Sequence, residues 1–276
     1  MKKPTGEVYT KVHEEGHFVD SFKTVVLSDC ESLDEHGDIL FVFRKNVIPE
    51  DLAELARKTF TKVAQKKNDN RGTAAGLLPS GSAKEVDKYG VARGNIARSN
   101  IVGYFDKPNI RDKKKFPGKS VCRLTSFNAK NRDLFDKTVP FFQCIDRVYR
   151  ECAPEHYQRQ LVQAQKCHPD LLVRGTVFST VTCNYNWRTA CHTDKGDFKA
   201  GLGNLTVIGD HEGGLIGFPE YDVGVSVQSR DVLLMNVHKM HCNTAITSGE
   251  RLSFVCYLRE GMHRCTQRVD DVFFTS

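Results

Sequence analysis

From Gly175 onward, apolar and polar residues alternate with the two-residue period of β-strands. The segment at 176–184 shows this alternation most clearly, and turn residues separate it from the segments that follow. Those later segments lie at residues 204–208, 214–218, 223–227, 231–237 and 251–258. Many short strands at close spacing are typical of a β-sandwich or barrel, of which the jelly roll with its cupin-like relatives is one form. The pattern therefore predicts a β-rich core in the C-terminal half.

The N-terminal half carries mainly helical patterns. The apolar run at 39–43 predicts one strand, and Pro49 with the two acidic residues after it predicts the start of a helix. Apolar residues spaced three or four apart predict further helices over residues 132–150 and after Pro154. Helices before a β-rich core indicate the α+β class.

The length of 276 residues is enough for one sizeable core. We expect residues 36–276 to form a single domain after a polar N-terminal extension at residues 1–35. The apolar runs are far shorter than a bilayer span, and the first residues lack the apolar core of a secretory signal. These features predict no membrane association and an intracellular location, nuclear in a eukaryote and otherwise cytoplasmic. Ten cysteines without a Cys-x-x-Cys spacing predict reduced, mostly buried thiols.

Glycine, asparagine, serine and basic residues dominate between residues 68 and 130. A long segment of this kind is uncommon in a compact domain unless it binds something, and the net charge of +6 permits contact with a polyanion. The candidates for nucleic-acid contact are Arg71, Arg93, Arg98, Lys113, Lys114, Lys115 and Arg123. We favour Arg93, Arg98 and Arg123 over the lysine run, because they lie within segments that contain glycine or serine. A solvated surface insertion is the alternative explanation of the same charges.

Two short clusters in the strand-rich half could hold a metal ion. His192 and Asp194 are two residues apart, so on a strand they would share one face, and His241 follows forty-nine residues after His192. Two histidines and one carboxylate form the facial triad that holds non-haem Fe(II) and leaves other coordination positions open. His238 is the alternative third ligand. We favour His241 because a turn-like segment follows it and Arg251 lies ten residues later.

Arg251 opens the apolar run at residues 252–258, where an unpaired charge would be costly. An incoming carboxylate would remove that cost, since a guanidinium binds a carboxylate through two parallel hydrogen bonds. Arg251 is therefore the candidate for binding the far carboxylate of 2-oxoglutarate. Arg188 is a weaker candidate for binding either this co-substrate or a phosphate of the substrate. The alternative for Arg251 is an edge-strand arginine with its guanidinium in water.

Three longer runs resemble the TET/JBP family of 2-oxoglutarate oxygenases, which hydroxylate the 5-methyl group of thymine or 5-methylcytosine in DNA. The runs lie at residues 186–198, 231–243 and 251–260. The similarity extends upstream through residues 71–76 and 122–127. It therefore covers most of the chain after about residue 35.

The resemblance implies a double-stranded β-helix, a jelly-roll and cupin-like core, with helices packed on one sheet. It implies Fe(II) at His192, Asp194 and His241, and 2-oxoglutarate at Arg251. It also implies duplex DNA as the partner, with the target base flipped out, because a methyl group inside the base stack cannot reach a buried iron. The sequence indicates no obligate protein partner.

Together these patterns favour a DNA 5-methylpyrimidine dioxygenase that uses O₂ and 2-oxoglutarate and releases succinate and CO₂. A 2-oxoglutarate/Fe(II) hydroxylase of protein side chains or small molecules is the alternative with the same iron site, and the basic, glycine-rich segment argues against it. A third hypothesis is a non-catalytic β-domain that binds nucleic acid, and the complete ligand set argues against that. Thymine and 5-methylcytosine both fit the favoured hypothesis.

Overall fold

The computed structural model describes residues 15–68, 71–76, 97–269 and 272–275. In this part of the chain the helices are α1 (Glu50–Ala64), α2 (Ile110–Lys115), α3 (Ser126–Lys130), α4 (Arg132–Lys137), α5 (Val139–Cys152) and α6 (Pro154–Ala164). The strands of the N-terminal half are β1 (Thr24–Val26), β2 (Cys30–Leu33), β3 (Ile39–Arg44), β4 (Ser99–Phe105) and β5 (Val121–Leu124). Those of the C-terminal half are β6 (Thr180–Tyr185), β7 (Gly203–Ile208), β8 (His211–Gly213), β9 (Ile216–Phe218), β10 (Val223–Val225), β11 (Val232–Met235), β12 (Cys242–Asn243), β13 (Ile246–Gly249), β14 (Leu252–Tyr257), β15 (Cys265–Val269) and β16 (Val272–Thr275).

A large antiparallel sheet forms the middle layer of the molecule. Among the described residues its strand order is β15-β16-β5-β4-β6-β14-β7-β11-β3-β2. A smaller sheet, with the order β1-β10-β9-β12, packs on one face of the large sheet, and β8 pairs separately with β13. Helices α1 and α5 contact strands of the large sheet and cover its other face.

The two faces of the large sheet belong to two different hydrophobic cores. On β11, Val232 and Leu234 pack on the helical side, whereas Leu233 and Met235 face the smaller sheet. Successive side chains of a strand point to opposite faces, so a strand buried on both sides needs a continuous apolar run. Strand β3 is also buried on both faces, which explains the apolar run that predicted it.

Aromatic contacts fix the helices against the sheet. The ring of Phe60 in α1 lies 5.6 Å from that of Phe254 in β14 and 5.8 Å from that of Phe142 in α5, centroid to centroid. Phe141 also packs edge-on against Phe254, at 5.2 Å. The helical layer therefore supports β14 from behind, while the opposite face of β14 is directed toward the smaller sheet.

The expected jelly-roll core with helices on one sheet is confirmed. The predicted strand at 39–43 is β3, and the helix predicted after Pro49 is α1. The single helix predicted over residues 132–150 is wrong, because the chain divides there into α4 and α5. Pro140 lies in the first turn of α5, and a proline ring clashes with the carbonyl four residues before it.

Residues 15–35 of the expected N-terminal extension contain two strands. Strand β1 pairs with β10 and β2 pairs with β3 at the sheet edges, while residues 1–14 lie outside the described part. Phe22 is buried against the backbone at Gly217 and Gly224. Edge strands pair through main-chain hydrogen bonds, so the side-chain pattern of these residues did not predict the two strands. Within the described part of the basic segment at 68–130, β4 and β5 extend the large sheet.

The expectation of reduced thiols is wrong for one pair of cysteines. Cys122 in β5 and Cys265 in β15 form a disulfide with a Cα–Cα distance of 6.1 Å, although 143 residues separate them in sequence. The remaining cysteines are free, and most of them are buried, as expected. In the described part of the chain, no helix combines the length and the hydropathy that a bilayer span requires.

Candidate active site

A cavity of about 400 Å³ lies between the two sheets. Part of its lining is apolar and comes from Leu205, Ile216, Met235 and Val237. The rest is polar and includes the predicted metal ligands and Arg251. The jelly-roll core thus brings His192, Asp194, His241 and Arg251 into one cavity.

His192 and His241 meet in an isolated antiparallel bridge. The amide of each residue donates to the carbonyl of the other, at 3.0 Å in both directions. Directly opposed residues in an antiparallel pair place their side chains on the same face. Nε2 of His192 lies 3.9 Å from Oδ1 of Asp194, and Nε2 of His241 lies 3.7 Å from Oδ2. The three side chains offer one ligand atom each within 4.8 Å of one another.

Both histidines are oriented by a backbone carbonyl two residues earlier. Nδ1 of His192 lies 2.8 Å from the carbonyl of Ala190, and Nδ1 of His241 lies 3.0 Å from that of Lys239. A carbonyl only accepts hydrogen bonds, so the ring proton belongs on Nδ1 and the lone pair on Nε2. Burial lowers the pKa of His241 to about 4, and a neutral imidazole is the form that binds a metal. The donor set and its orientation fit Fe(II).

His238, the alternative third ligand, has a different environment. Its Nε2 lies 3.4 Å from the carbonyl of Phe198. The group of potential metal ligands found among the described residues contains His241 and not His238. The geometry therefore favours His241 over His238 as the third metal ligand.

Arg251 is a buried cation with unused hydrogen-bonding capacity. Only 3% of the residue is exposed, and within the described part of the chain its Nε and Nη2 have no hydrogen-bond partner. Burial lowers its pKa to about 10, so the guanidinium remains charged near pH 7. Gly214 lies against it, and a Cβ at this glycine would be 3.0 Å from Cδ of Arg251. A carboxylate in the cavity would satisfy the unpaired atoms, which fits 2-oxoglutarate.

Arg188, the weaker candidate for the co-substrate, is directed elsewhere. Its Nη2 donates to the carbonyl of Val19 at 3.0 Å and also bonds the carboxylate of Asp20. It is not among the residues that line the cavity. Arg188 therefore holds the N-terminal segment and lies outside the cavity in which a co-substrate would bind.

A second arginine of the cavity, Arg259, is paired with two carboxylates. Its Nε donates to Oδ1 of Asp106 at 2.9 Å, and its Nη1 lies 3.6 Å from Oδ1 of Asp197. The guanidinium also stacks over the ring of Phe105 at 4.7 Å, and Arg123 approaches the same ring at 5.6 Å. Sequence reasoning missed this cluster. Its only signal was the position of Arg259 in the run at 251–260.

The predicted nucleic-acid contacts fall into separate groups. Arg71 and Arg123 line the cavity, and Nε of Arg71 donates to the carbonyl of Ser99 at 3.1 Å. Burial lowers the pKa of both guanidinium groups. Arg98 and the lysine run Lys113–Lys115 are exposed and do not line the cavity. Arg93 lies outside the described residues.

Comparisons with known proteins place these features in a family. A family model described as Tet_JBP, the oxygenase domain of the 2OGFeDO superfamily, matches residues 100–260. The chain is 34% identical to the "Bifunctional helicase and thymine dioxygenase JBP2" of Leishmania tarentolae over 87% of its own length and 20% of that protein. It is 28% identical to the "Thymine dioxygenase JBP1" of Crithidia fasciculata over 94% of its own length and 30% of that protein. The chain thus spans only a fifth to a third of these relatives.

A solved structure shares the fold. The structure described as "NgTET1 in complex with 5mC DNA" aligns with a TM-score of 0.58 and 13% sequence identity, covering 88% of this chain and 81% of that one. At this identity the likeness concerns the fold alone.

Replacing a triad residue should remove metal binding from a folded protein. We expect His192→Ala, Asp194→Ala and His241→Ala each to abolish measurable Mn(II) binding in calorimetric titration, because each deletes one of three ligands. His238→Ala is the matched control and should bind Mn(II) as the unmodified protein does. Loss of binding in the His238 variant, with binding retained in His241→Ala, would show that the third ligand is His238.

Arg251→Ala should raise the 2-oxoglutarate requirement far more than the requirement for any other substrate. Truncating one partner of a buried ion pair costs about 3–5 kcal/mol. That energy corresponds to on the order of a hundredfold or more in affinity. The measurement is the KM for 2-oxoglutarate in succinate formation, with Arg188→Ala as the control that should leave this KM unchanged. An unaltered KM in Arg251→Ala contradicts the assignment.

Proposed function

The chain belongs to the Tet_JBP family, the oxygenase domain of the 2OGFeDO superfamily, and we propose that it hydroxylates the 5-methyl group of thymine in duplex DNA. The observation that carries this proposal is a single cavity that contains a two-histidine, one-aspartate cluster, the basic residues Arg71 and Arg123, and Arg251, whose Nε and Nη2 have no partner among the described residues. The sequence relatives named above are thymine dioxygenases, which favours thymine over 5-methylcytosine as the base.

In this proposal His192, Asp194 and His241 hold Fe(II), and Arg251 binds the far carboxylate of 2-oxoglutarate. Iron, O₂ and 2-oxoglutarate together supply the oxidant: one oxygen atom enters a C–H bond of the methyl group, and the other enters succinate as CO₂ leaves. The chain supplies geometry. The bonds from Nδ1 keep both imidazole Nε2 atoms aimed at one point, and Arg251 fixes the co-substrate from its buried position.

The apolar part of the cavity suits the methyl-bearing face of a base. Leu205, Ile216, Met235 and Val237 line the same cavity as His192 and His241. A thymine within a duplex cannot reach this space, so we propose that the base is flipped into the cavity. Unstacking a base costs a few kcal/mol, which contacts to the nucleotide and its phosphates must offset.

Two basic residues of the cavity support the proposed contacts with the nucleotide. Arg71 and Arg123 line the cavity, where a flipped nucleotide would lie. Helix α2, which carries the lysine run Lys113–Lys115, lies between β4 and β5 in the chain, and β5 carries Arg123. We therefore propose that Arg71 and Arg123 contact the flipped nucleotide and that α2 contacts the duplex beside it. If the source organism is a eukaryote, as those of the named relatives are, this proposal implies a nuclear location.

The decisive experiment is product analysis on duplex DNA. With Fe(II), O₂ and 2-oxoglutarate, a thymine duplex should yield 5-hydroxymethyluracil, detected by mass spectrometry of the nucleosides, and His192→Ala should yield none. A parallel duplex carrying 5-methylcytosine tests the choice of base. Conversion of 5-methylcytosine alone would overturn the thymine assignment. Robust succinate formation with both duplexes unmodified would remove DNA as the substrate.

Duplex binding should weaken steeply with salt, because each neutralised phosphate releases condensed counterions. Each lysine of the α2 run that contacts a phosphate should add about 0.9 to the slope of log K against log salt. Replacing Lys113, Lys114 and Lys115 by glutamine should reduce the slope accordingly. The matched control replaces Lys58, Lys62 and Lys66, exposed lysines in and just after α1 on the helical side, and should leave the slope unchanged. Equal slopes in both variants would exclude α2 from the DNA interface.

A further inference from the structure

The chain that carries His192 to the cavity lacks regular strand pairing. Strand β6 ends at Tyr185, and the next ladder contact is the isolated bridge between His192 and His241. The orientation of His192 depends on the carbonyl of Ala190, which lies inside this irregular stretch. Backbone bonds hold the end of this stretch, where the amide of Ala190 donates to the carbonyl of Ala74 at 2.9 Å and that of Cys191 donates to the carbonyl of His17 at 2.7 Å. The position of the Ala190 carbonyl also depends on what holds Thr189, the residue before it.

Asn243, two residues after His241, spans the two segments. Its Oδ1 accepts from the amide of Thr189 at 3.0 Å and from the hydroxyl of Thr189 at 2.6 Å. Its Nδ2 donates to the carbonyl of Trp187 at 3.3 Å and to that of Thr244 at 2.9 Å. The Thr189 hydroxyl in turn accepts from the amide of Asn243 at 2.9 Å. We call this set of bonds the Asn243–Thr189 clamp.

The clamp uses the full capacity of the asparagine side chain. A carboxamide can accept two hydrogen bonds and donate two, and all four are made here. Asn243 is one of the cavity-lining residues, yet its side chain has no donor or acceptor left for a ligand. A direct substrate or co-substrate contact is therefore not its role.

We infer that Asn243 is a positioning residue, which holds Thr189 so that the adjacent Ala190 carbonyl orients the His192 ring for the metal. The inference rests on the proposed metal site and extends it to a residue outside the triad. Only 3% of Asn243 is exposed, so a substitution would leave the buried polar groups that it bonds without their partner. Partners that orient a metal-binding histidine change metal affinity by about 10–100-fold when they are mutated.

The chain offers a matched control in Asn128. This asparagine is also 3% exposed, and its Oδ1 likewise accepts from a backbone amide, that of Gly103 at 2.7 Å, and from a threonine hydroxyl, that of Thr125 at 3.2 Å. It lies in α3, and it does not line the cavity. Asn128→Ala should therefore lower thermal stability without changing metal affinity.

The test is calorimetric titration of the full chain with Mn(II) in the absence of O₂, which requires no DNA and no turnover. Asn243→Ala should weaken Mn(II) binding by about tenfold or more, whereas Asn128→Ala should bind as the unmodified protein does. Unchanged binding in Asn243→Ala, or equal weakening in both variants, overturns the inference. Because DNA is absent, this result is independent of whether thymine is the substrate.

A second pair of variants decides the matter if Asn243→Ala does not fold. Thr189→Val removes the hydroxyl with little change in shape, and Thr189→Ser restores it. We expect weakened Mn(II) binding in the valine variant and rescue by serine, with each titration performed well below the unfolding temperature of the variant. Equal Mn(II) affinity in the two variants would contradict the clamp.

Discussion

The antiparallel bridge between His192 and His241 is the contact on which the site depends, because it brings together two segments that lie forty-nine residues apart. Its two hydrogen bonds contribute about 0.5–1.5 kcal/mol each, too little to hold such a closure alone. The large and small sheets supply the rest. Buried side chains of β11 fix the approach to His241, and the aromatic contacts of β14 fix the frame behind the cavity. The bridge is thus a local consequence of packing that extends through both cores.

Arg259 and Arg251 line the same cavity, and the pairing of their charges distinguishes a structural role from a binding role. Arg259 is paired with Asp106 and Asp197, so its charge is compensated within the chain. Arg251 is at least as deeply buried, yet two of its nitrogen atoms have no partner among the described residues. An uncompensated buried ion costs several kcal/mol, a cost that a bound carboxylate would remove. Arg188, which the sequence made a weaker candidate for the co-substrate, is held by the N-terminal segment.

The sequence was sufficient for features that depend on local spacing. The period of two predicted the strands of the core, and the His-x-Asp pair with Arg251 predicted side chains that do meet in one cavity. It failed where the outcome depends on partners distant in the chain. The edge strands β1 and β2, the disulfide of Cys122, and the pairing of Arg188 with Asp20 have no local pattern. The clamp formed by Asn243 was missed for the same reason, since its bonds join segments more than fifty residues apart.

The most direct test of the account is a crystal structure of the protein with Mn(II) and 2-oxoglutarate, with the metal located by its anomalous scattering. The account predicts Mn(II) bound by Nε2 of His192, a carboxylate oxygen of Asp194 and Nε2 of His241, with the far carboxylate of 2-oxoglutarate on Nε and Nη2 of Arg251. Metal on His238, or the co-substrate carboxylate bound away from Arg251, would contradict it.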